Sequence, residues 1–191
     1  VKAQSSAVLT RLAEAESAAH RMPVEKVHLH EVGGLDCLVD VVGTVLGFEA
    51  LGVKAIYSAP VSVGSGFQKC AHGTMPVPVP GTLAILKDFP LRRTEFPYEM
   101  TTPTGAALIA ALAKPAKTPF VMTPLATGHG AGTRDTPYVA NLLRLMRAEA
   151  DPKLLKAAEK GASHGHHHHD HDHGPDHHHE HPHHHEHAHE H

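Results

Sequence analysis

The composition of the chain changes abruptly at about Gly161, and that change limits what can fold. From His164 to His191 there are seventeen histidines, six acids and no lysine or arginine. No apolar run remains from which a core could be built, so this stretch reads as a disordered tail. The foldable part is residues 1–160, which is enough for one domain. The histidines of HGHHHHDHDHGPDHHHEHPHHHEHAHEH are interrupted by Asp, Glu, Gly and Pro in no fixed period, which is the pattern of a natural segment and not of an appended tag. Neutral imidazole is a borderline-soft ligand for nickel, zinc and copper, and the interleaved carboxylates attract divalent cations. His166, His167, His168, His169, His171 and His173 are therefore candidate metal ligands. The alternative is a solvated low-complexity tail with no selected ligand.

Charge separates the two parts. The whole chain carries a formal −3, and setting the tail's acids aside leaves the first 163 residues at +3. That is too weak a basic balance to argue for nucleic acid. Cys37 and Cys70 lie far apart with no CxxC spacing, which fits a reducing compartment, and the cytoplasm is expected. No stretch reaches eighteen apolar residues, and the opening VKAQSSAVLTRLAEAE lacks the order of a signal peptide, so neither a membrane span nor export is expected.

The pattern of the first 160 residues is that of an α/β domain, a mixed sheet with β-α-β units and flanking helices. A helix capped by Ser5 or Ser6 runs to about Arg21, with Val8, Leu12, Ala15 and Ala19 at helical spacing. VHLHEV (27–32) alternates like a strand and stops at Gly33-Gly34. Leu35 to Leu51 is apolar around much of its circumference and ends at Gly52, so it reads as a buried helix. Ala55 to Val63 completes a β-α-β unit. Residues 64–80 read as a long irregular loop, and Gly81 to Leu86 as a short helix. A strand over 91–96, a helix over 104–113 and a strand over 120–126 follow. The stretch 137–146 scans as a strand, although 141–150 also scans as a helix.

Several clusters could carry chemistry. His28 and His30 share one face of a strand end that precedes a Gly-Gly turn into a helix, where open α/β sheets collect ligands; backbone-satisfied structural histidines explain the pair equally well. Asp36 and Asp40 stand at i and i+4 in line with Gly43 and Gly47. They suit a metal, a cationic side chain or the two histidines as partners, or a plain helix start. In GSGFQKCAHG, Gly64 and Gly66 permit close backbone approach, Lys69 could neutralise a phosphate or carboxylate, and Cys70 with His72 could bind a soft metal or act as a nucleophile pair. Thr102, Thr104 and Gly105 form either an anion cradle or a capping sequence. His129 and Arg134 in GHGAGTR suit an anion or a simple turn.

Four segments, VHLHEVGGLDCLVDVVG, SAPVSVGSGFQKCAHGTMPVPVPGT, MTTPTGAALIAALA and GHGAGTRDTPYVANLLRLM, together resemble the LarC family of nickel-insertion proteins over about Val24 to Met146. A His-rich tract after this domain is also typical of that family. The resemblance implies a nickel chelatase that places Ni(II) into pyridinium-3,5-bisthiocarboxylic acid mononucleotide. The product is the nickel-pincer cofactor of lactate racemase-type enzymes, and the reaction uses CTP with Mg(II) or Mn(II). On that basis His28, His30 and His72 are expected to face nickel, with Asp36 and Asp40 behind them. Lys69, Thr102, Thr104 and Arg134 are expected to face the phosphate or thiocarboxylates, and Gly64, Gly66 and Gly105 to line the nucleotide. Cys70 remains a candidate catalytic group.

The chain also departs from the family pattern. The strand and DCFSGISGDM-like segment that open family members are missing before Val1, and the C-terminal domain that follows the His-rich tract is absent. The chain therefore reads as a piece that needs its C-terminal domain or a separate half for CTP-dependent catalysis. A homo-oligomer and a lactate racemase-type apoenzyme partner are further expectations. The competing function is nickel storage or delivery without catalysis, as the tail alone suggests. A metal-dependent hydrolase would need a further His and Asp set that the sequence does not offer.

Overall fold

The computed structural model describes residues 1–26, 34–70, 73–116, 121–137 and 139–160. Among the described residues it is a mixed α/β structure in which four helices make the core and the strands occur as pairs. Helix α1 (Lys2–His20) begins earlier than the serines suggested. Ser5 lies inside it and buries its side chain along with Val8, Leu12 and Ala15. These positions recur at three- and four-residue intervals, so they form one stripe facing the core. The helix stops at Arg21, whose φ of 51° is left-handed, with the Met22 amide returning to the Ser17 carbonyl at 3.1 Å. That is the usual geometry of a helix C-terminus, here without glycine.

Helix α2 (Leu35–Ala50) ends where Gly52 takes a φ of +64°. Its apolar surface is split between two faces. Cys37, Val41 and Val45 are buried against the core, whereas Leu35, Val39 and Leu46 on another face are half or more exposed. Burial all round, expected from composition, is not what the described residues show, because no described element covers that second face. A third face carries Asp36, Asp40, Gly43 and Gly47. Nothing lies within 4 Å of where a Cβ would stand at either glycine.

Helix α3 (Pro80–Ile85) buries Thr82 and Ile85, and helix α4 (Pro103–Leu112) buries Ala106 and Ala107 completely. Two adjacent alanines allow α4 to approach α1 closely, and α1, α3 and α4 form the main helical contacts. Leu12 and Leu86 are the largest fully buried side chains of this cluster. Each contributes roughly 1.5–3 kcal/mol by leaving water.

The expected strand over 55–63 is broken into β1 (Tyr57–Ser58) and β2 (Val61–Val63). Pro60 between them has no amide to give to a ladder. β2 pairs in parallel with β5 (Leu91–Arg93), with α3 in the crossover, and β1 pairs in parallel with β6 (Lys114–Pro115) directly after α4. The β-α-β arrangement is therefore present, although the unit built on VHLHEV involves residues outside those described. The presumed irregular loop over 64–80 instead contains an antiparallel pair, β3 (Phe67–Cys70) with β4 (Gly73–Pro76). Its alternation was hidden by glycine and proline at both ends.

The last two strands are β7 (Thr123–Ala131) and β8 (Leu142–Glu149), paired antiparallel with an irregularity at Leu125. β7 absorbs the first half of GHGAGTR, and β8 rules out a helix over 141–150. Both strands are exposed along almost their whole length and make their main contacts with each other. A short helix, α5 (Pro152–Lys160), follows. Among the described residues no helix is long and apolar enough to cross a membrane.

Candidate functional site

Thr102, Thr104 and Gly105 lie at one junction, where the first turns of α2 and α4 converge beside the carboxyl end of β2, with Asp36 in that first turn of α2 and Gly64 directly after β2. Cys37 Sγ and Thr104 Oγ1 are 3.7 Å apart, which joins the two helix starts. In α4 the Thr102 side chain accepts the Gly105 amide at 3.2 Å and the Thr102 carbonyl accepts the Ala106 amide at 2.8 Å, with Pro103 opening the helix. Proline needs no amide partner at that position and threonine supplies the missing acceptor. Thr101 donates its hydroxyl to the Ser62 carbonyl at 2.8 Å and so ties this turn to β2. Thr94, just after β5, donates both its amide and its hydroxyl to the Val63 carbonyl, at 2.9 and 3.1 Å.

Gly64 is surrounded by backbone. The Tyr98 carbonyl stands where its Cβ would be, with the Phe96 carbonyl 3.0 Å from that point. Ser65 donates its amide and hydroxyl to the same Phe96 carbonyl, at 2.9 and 3.2 Å. Gly66 has a φ of +83°, and its carbonyl accepts the Val77 amide at 2.9 Å, which closes the base of the β3–β4 ribbon. At α2 the carboxylate of Asp36 folds back over Gly34, the residue before the helix, where the helix dipole favours negative charge. Asp36 and Asp40 are both exposed.

Other candidates are placed apart from this junction. Lys69 and Cys70 sit toward the far end of β3, about 10 Å of strand beyond Phe67. Lys69 is exposed, and Cys70 donates to the Gly73 carbonyl at 3.4 Å. Arg134 follows β7 in the connection to β8, lining an open cleft of about 330 Å³ with Thr133, Asp135 and Asn141. Asn141 donates its amide to the Arg134 carbonyl at 3.1 Å. His129 lies within β7 opposite Arg144. His28, His30, His72 and every tail histidine fall outside the described residues. Among the residues described, no three His, Cys, Asp or Glu side chains come together as a metal site.

Reasoning from sequence passed over Cys37, which is both a core residue and the link between α2 and α4. Its place in the series Cys37, Val41, Val45 was the available signal. Thr94 and Ser62, which fasten the strand ends, carried no signal that would separate them from ordinary loop residues.

Comparison with known proteins fixes the family. The model of the family described as nickel insertion protein matches residues 1–173. The chain belongs to the nickel insertion protein family. A relative from Citrifermentans bemidjiense, named as a nickel insertion protein, is 48% identical over 150 residues, covering 78% of this chain and 39% of its own length. One from Wolinella succinogenes is 42% identical over 149 residues, covering 78% and 38%. A relative from Akkermansia muciniphila, named as the pyridinium-3,5-bisthiocarboxylic acid mononucleotide nickel insertion protein, is 44% identical over 151 residues, covering 79% and 37%. The chain thus spans about two fifths of the length of these nickel insertion proteins. No solved structure matches it.

Proposed function

We propose that the chain takes part in inserting nickel into pyridinium-3,5-bisthiocarboxylic acid mononucleotide, the substrate named for its Akkermansia relative. The observation that carries this reading is the family match over residues 1–173. The junction of α2 and α4 supports it chemically. The start of α4, beside the ends of parallel strands, presents its helix N-terminus and threonine hydroxyls, which suits a phosphate or thiocarboxylate, while the α2 start carries the Asp36 carboxylate. In this reading Thr102, Thr104 and Gly105 hold the anionic part of the nucleotide, with Gly64 and Gly66 shaping the floor. His28, His30 and His72 bring nickel to it as substrate, with Asp36 and Asp40 behind them. In sequence His28 and His30 precede Gly34 by six and four residues. Lys69, Cys70 and Arg134 act from the β3–β4 ribbon and the β7–β8 connection, which must then approach the junction.

The reaction is CTP-dependent in this proposal. CTP with Mg(II) or Mn(II) is assigned to polypeptide that the relatives carry outside the matched part, as is delivery of the nickel-pincer product to a lactate racemase-type apoenzyme. Residues 1–160 form the inserting domain, and the histidine-dense residues 161–191 serve as a nickel reserve beside it.

The test combines the chain, whole or ending at residue 160, with nickel, CTP, magnesium and the bisthiocarboxylated nucleotide, with a full-length relative run in parallel as the active reference. Mass spectrometry then follows the nickel-bearing nucleotide. Nucleotide binding by the chain that survives loss of the tail and weakens at least tenfold in Thr104→Val is the expected result. A second reading, nickel storage and delivery, rests on the tail alone. It prevails if residues 161–191 account for all bound nickel and the nucleotide never binds.

A further inference from the structure

The β7–β8 ribbon carries an apolar shelf on one face but has the exposure of an isolated hairpin. On one face Leu143 and Leu145 of β8 stand opposite Gly130 and Gly128 of β7. The two leucines are 64% and 49% exposed, and nothing lies within 4 Å of where a Cβ would stand at either glycine. That face is therefore an apolar shelf with two bare backbone positions beside two large side chains. The opposite face is mixed: Leu142 and Met146, about half exposed, flank Arg144, which stands across from His129. An apolar shelf of this kind normally packs against other structure, and a lone two-stranded ribbon is at best marginally stable in water. Both outer edges also lack a described neighbouring strand, since β7 and β8 form a sheet of two.

We propose that the β7–β8 ribbon is part of a larger sheet, extended and covered by polypeptide that nickel insertion proteins carry outside the part matched here. The occupant is argued from length. The family match over residues 1–173 includes the ribbon, while the relatives are covered over only 37–40% of their own length. In those proteins the ribbon is therefore tethered to a large amount of further chain, and tethering gives that chain a high effective concentration at the shelf. The occupant supplies at least one strand to an open edge of the ribbon and apolar side chains to the shelf over Gly128 and Gly130. The inference rests on family membership and not on the nickel chemistry, so it stands or falls separately from the proposed reaction.

The experiment compares this 191-residue chain with the full-length Citrifermentans bemidjiense relative. Amide hydrogen exchange across β7 and β8 is expected to be about 100-fold slower in the full-length protein. A photo-crosslinking residue at the relative's counterpart of Leu145 is expected to attach to a peptide outside the matched part of the same chain. Equal, fast exchange in both proteins overturns the proposal, because the ribbon then faces solvent in each. It is also overturned if the crosslink joins two copies of the ribbon, or if exchange in the 191-residue chain is already slow and quickens on dilution as a dimer dissociates. The exchange comparison needs no substitution, so a crosslinking variant that fails to fold does not decide the matter.

Discussion

At Gly64 the Tyr98 carbonyl fills the space a methyl group would take, and the obstacle is backbone, which cannot rotate away. Gly64→Ala is expected to destabilise the chain by about 1–3 kcal/mol, read as a lower urea midpoint at unchanged slope. Gly66→Ala meets no such obstacle but must adopt a φ of +83°, and about 1–2 kcal/mol of strain follows from its handedness alone. The glycine-rich loop was visible in the sequence; which backbone segment crosses Gly64 was not, because Phe96 and Tyr98 are more than thirty residues away. Thr82 gives the opposite expectation. It is fully buried and its hydroxyl has no hydrogen-bond partner among the described residues. Thr82→Val keeps the shape and removes the desolvated oxygen, so thermal unfolding should shift upward, equivalent to roughly 1 kcal/mol. A lower melting temperature would mean that the hydroxyl is satisfied after all, for instance by water.

The helices and strands differ in how far the sequence revealed them, and the difference follows from what holds each together. α1 and α4 carry their own periodicity, so Val8–Leu12–Ala15 and the capped turn at Thr102 could be read directly, whereas in α2 the buried stripe Cys37–Val41–Val45 looked no different from the exposed Leu35–Val39–Leu46 face. Thr102→Ala should cost about 1 kcal/mol, with Thr102→Ser recovering most of it, since the hydroxyl accepting the Gly105 amide is what matters. Leu12→Ala should cost about 2–5 kcal/mol, because α3 and α4 close around that side chain and cannot collapse into the gap. Both can be measured by circular dichroism during thermal or urea unfolding. β1, β2, β5 and β6 are two or three residues long and are specified by their partners, so no local pattern marks their ends. β8 reads LLRLMRAE, whose leucines satisfy strand and helix spacing alike, and pairing with β7 decides between them. The candidate site shows the same division. Local capping exposed the Thr102–Gly105 turn, while its meeting with Cys37 depended on tertiary packing.

For the molecule as a whole, the charge division near Gly161 predicts two classes of nickel site. The tail contributes seventeen histidines and six acids, whereas the rest of the chain has five histidines, of which His28 and His30 are only two residues apart and His72 lies in the glycine-rich loop. Equilibrium dialysis of the full chain at pH 7.5 should find several nickel ions per chain, and the chain ending at residue 160 should retain about one, held more tightly than the average tail ion. Retention by both should fall as pH drops. Coordination needs neutral imidazole, and free histidine protonates near pH 6.5, so each site loses affinity as protons compete between roughly pH 7 and pH 5. The sign is set by the ligand: carboxylates remain ionised through that window and would hold metal down to about pH 4. A truncated chain that keeps its nickel at pH 5 would therefore point to Asp36 and Asp40 as ligands. If it binds none at pH 7.5, all nickel belongs to the tail, and the storage reading gains.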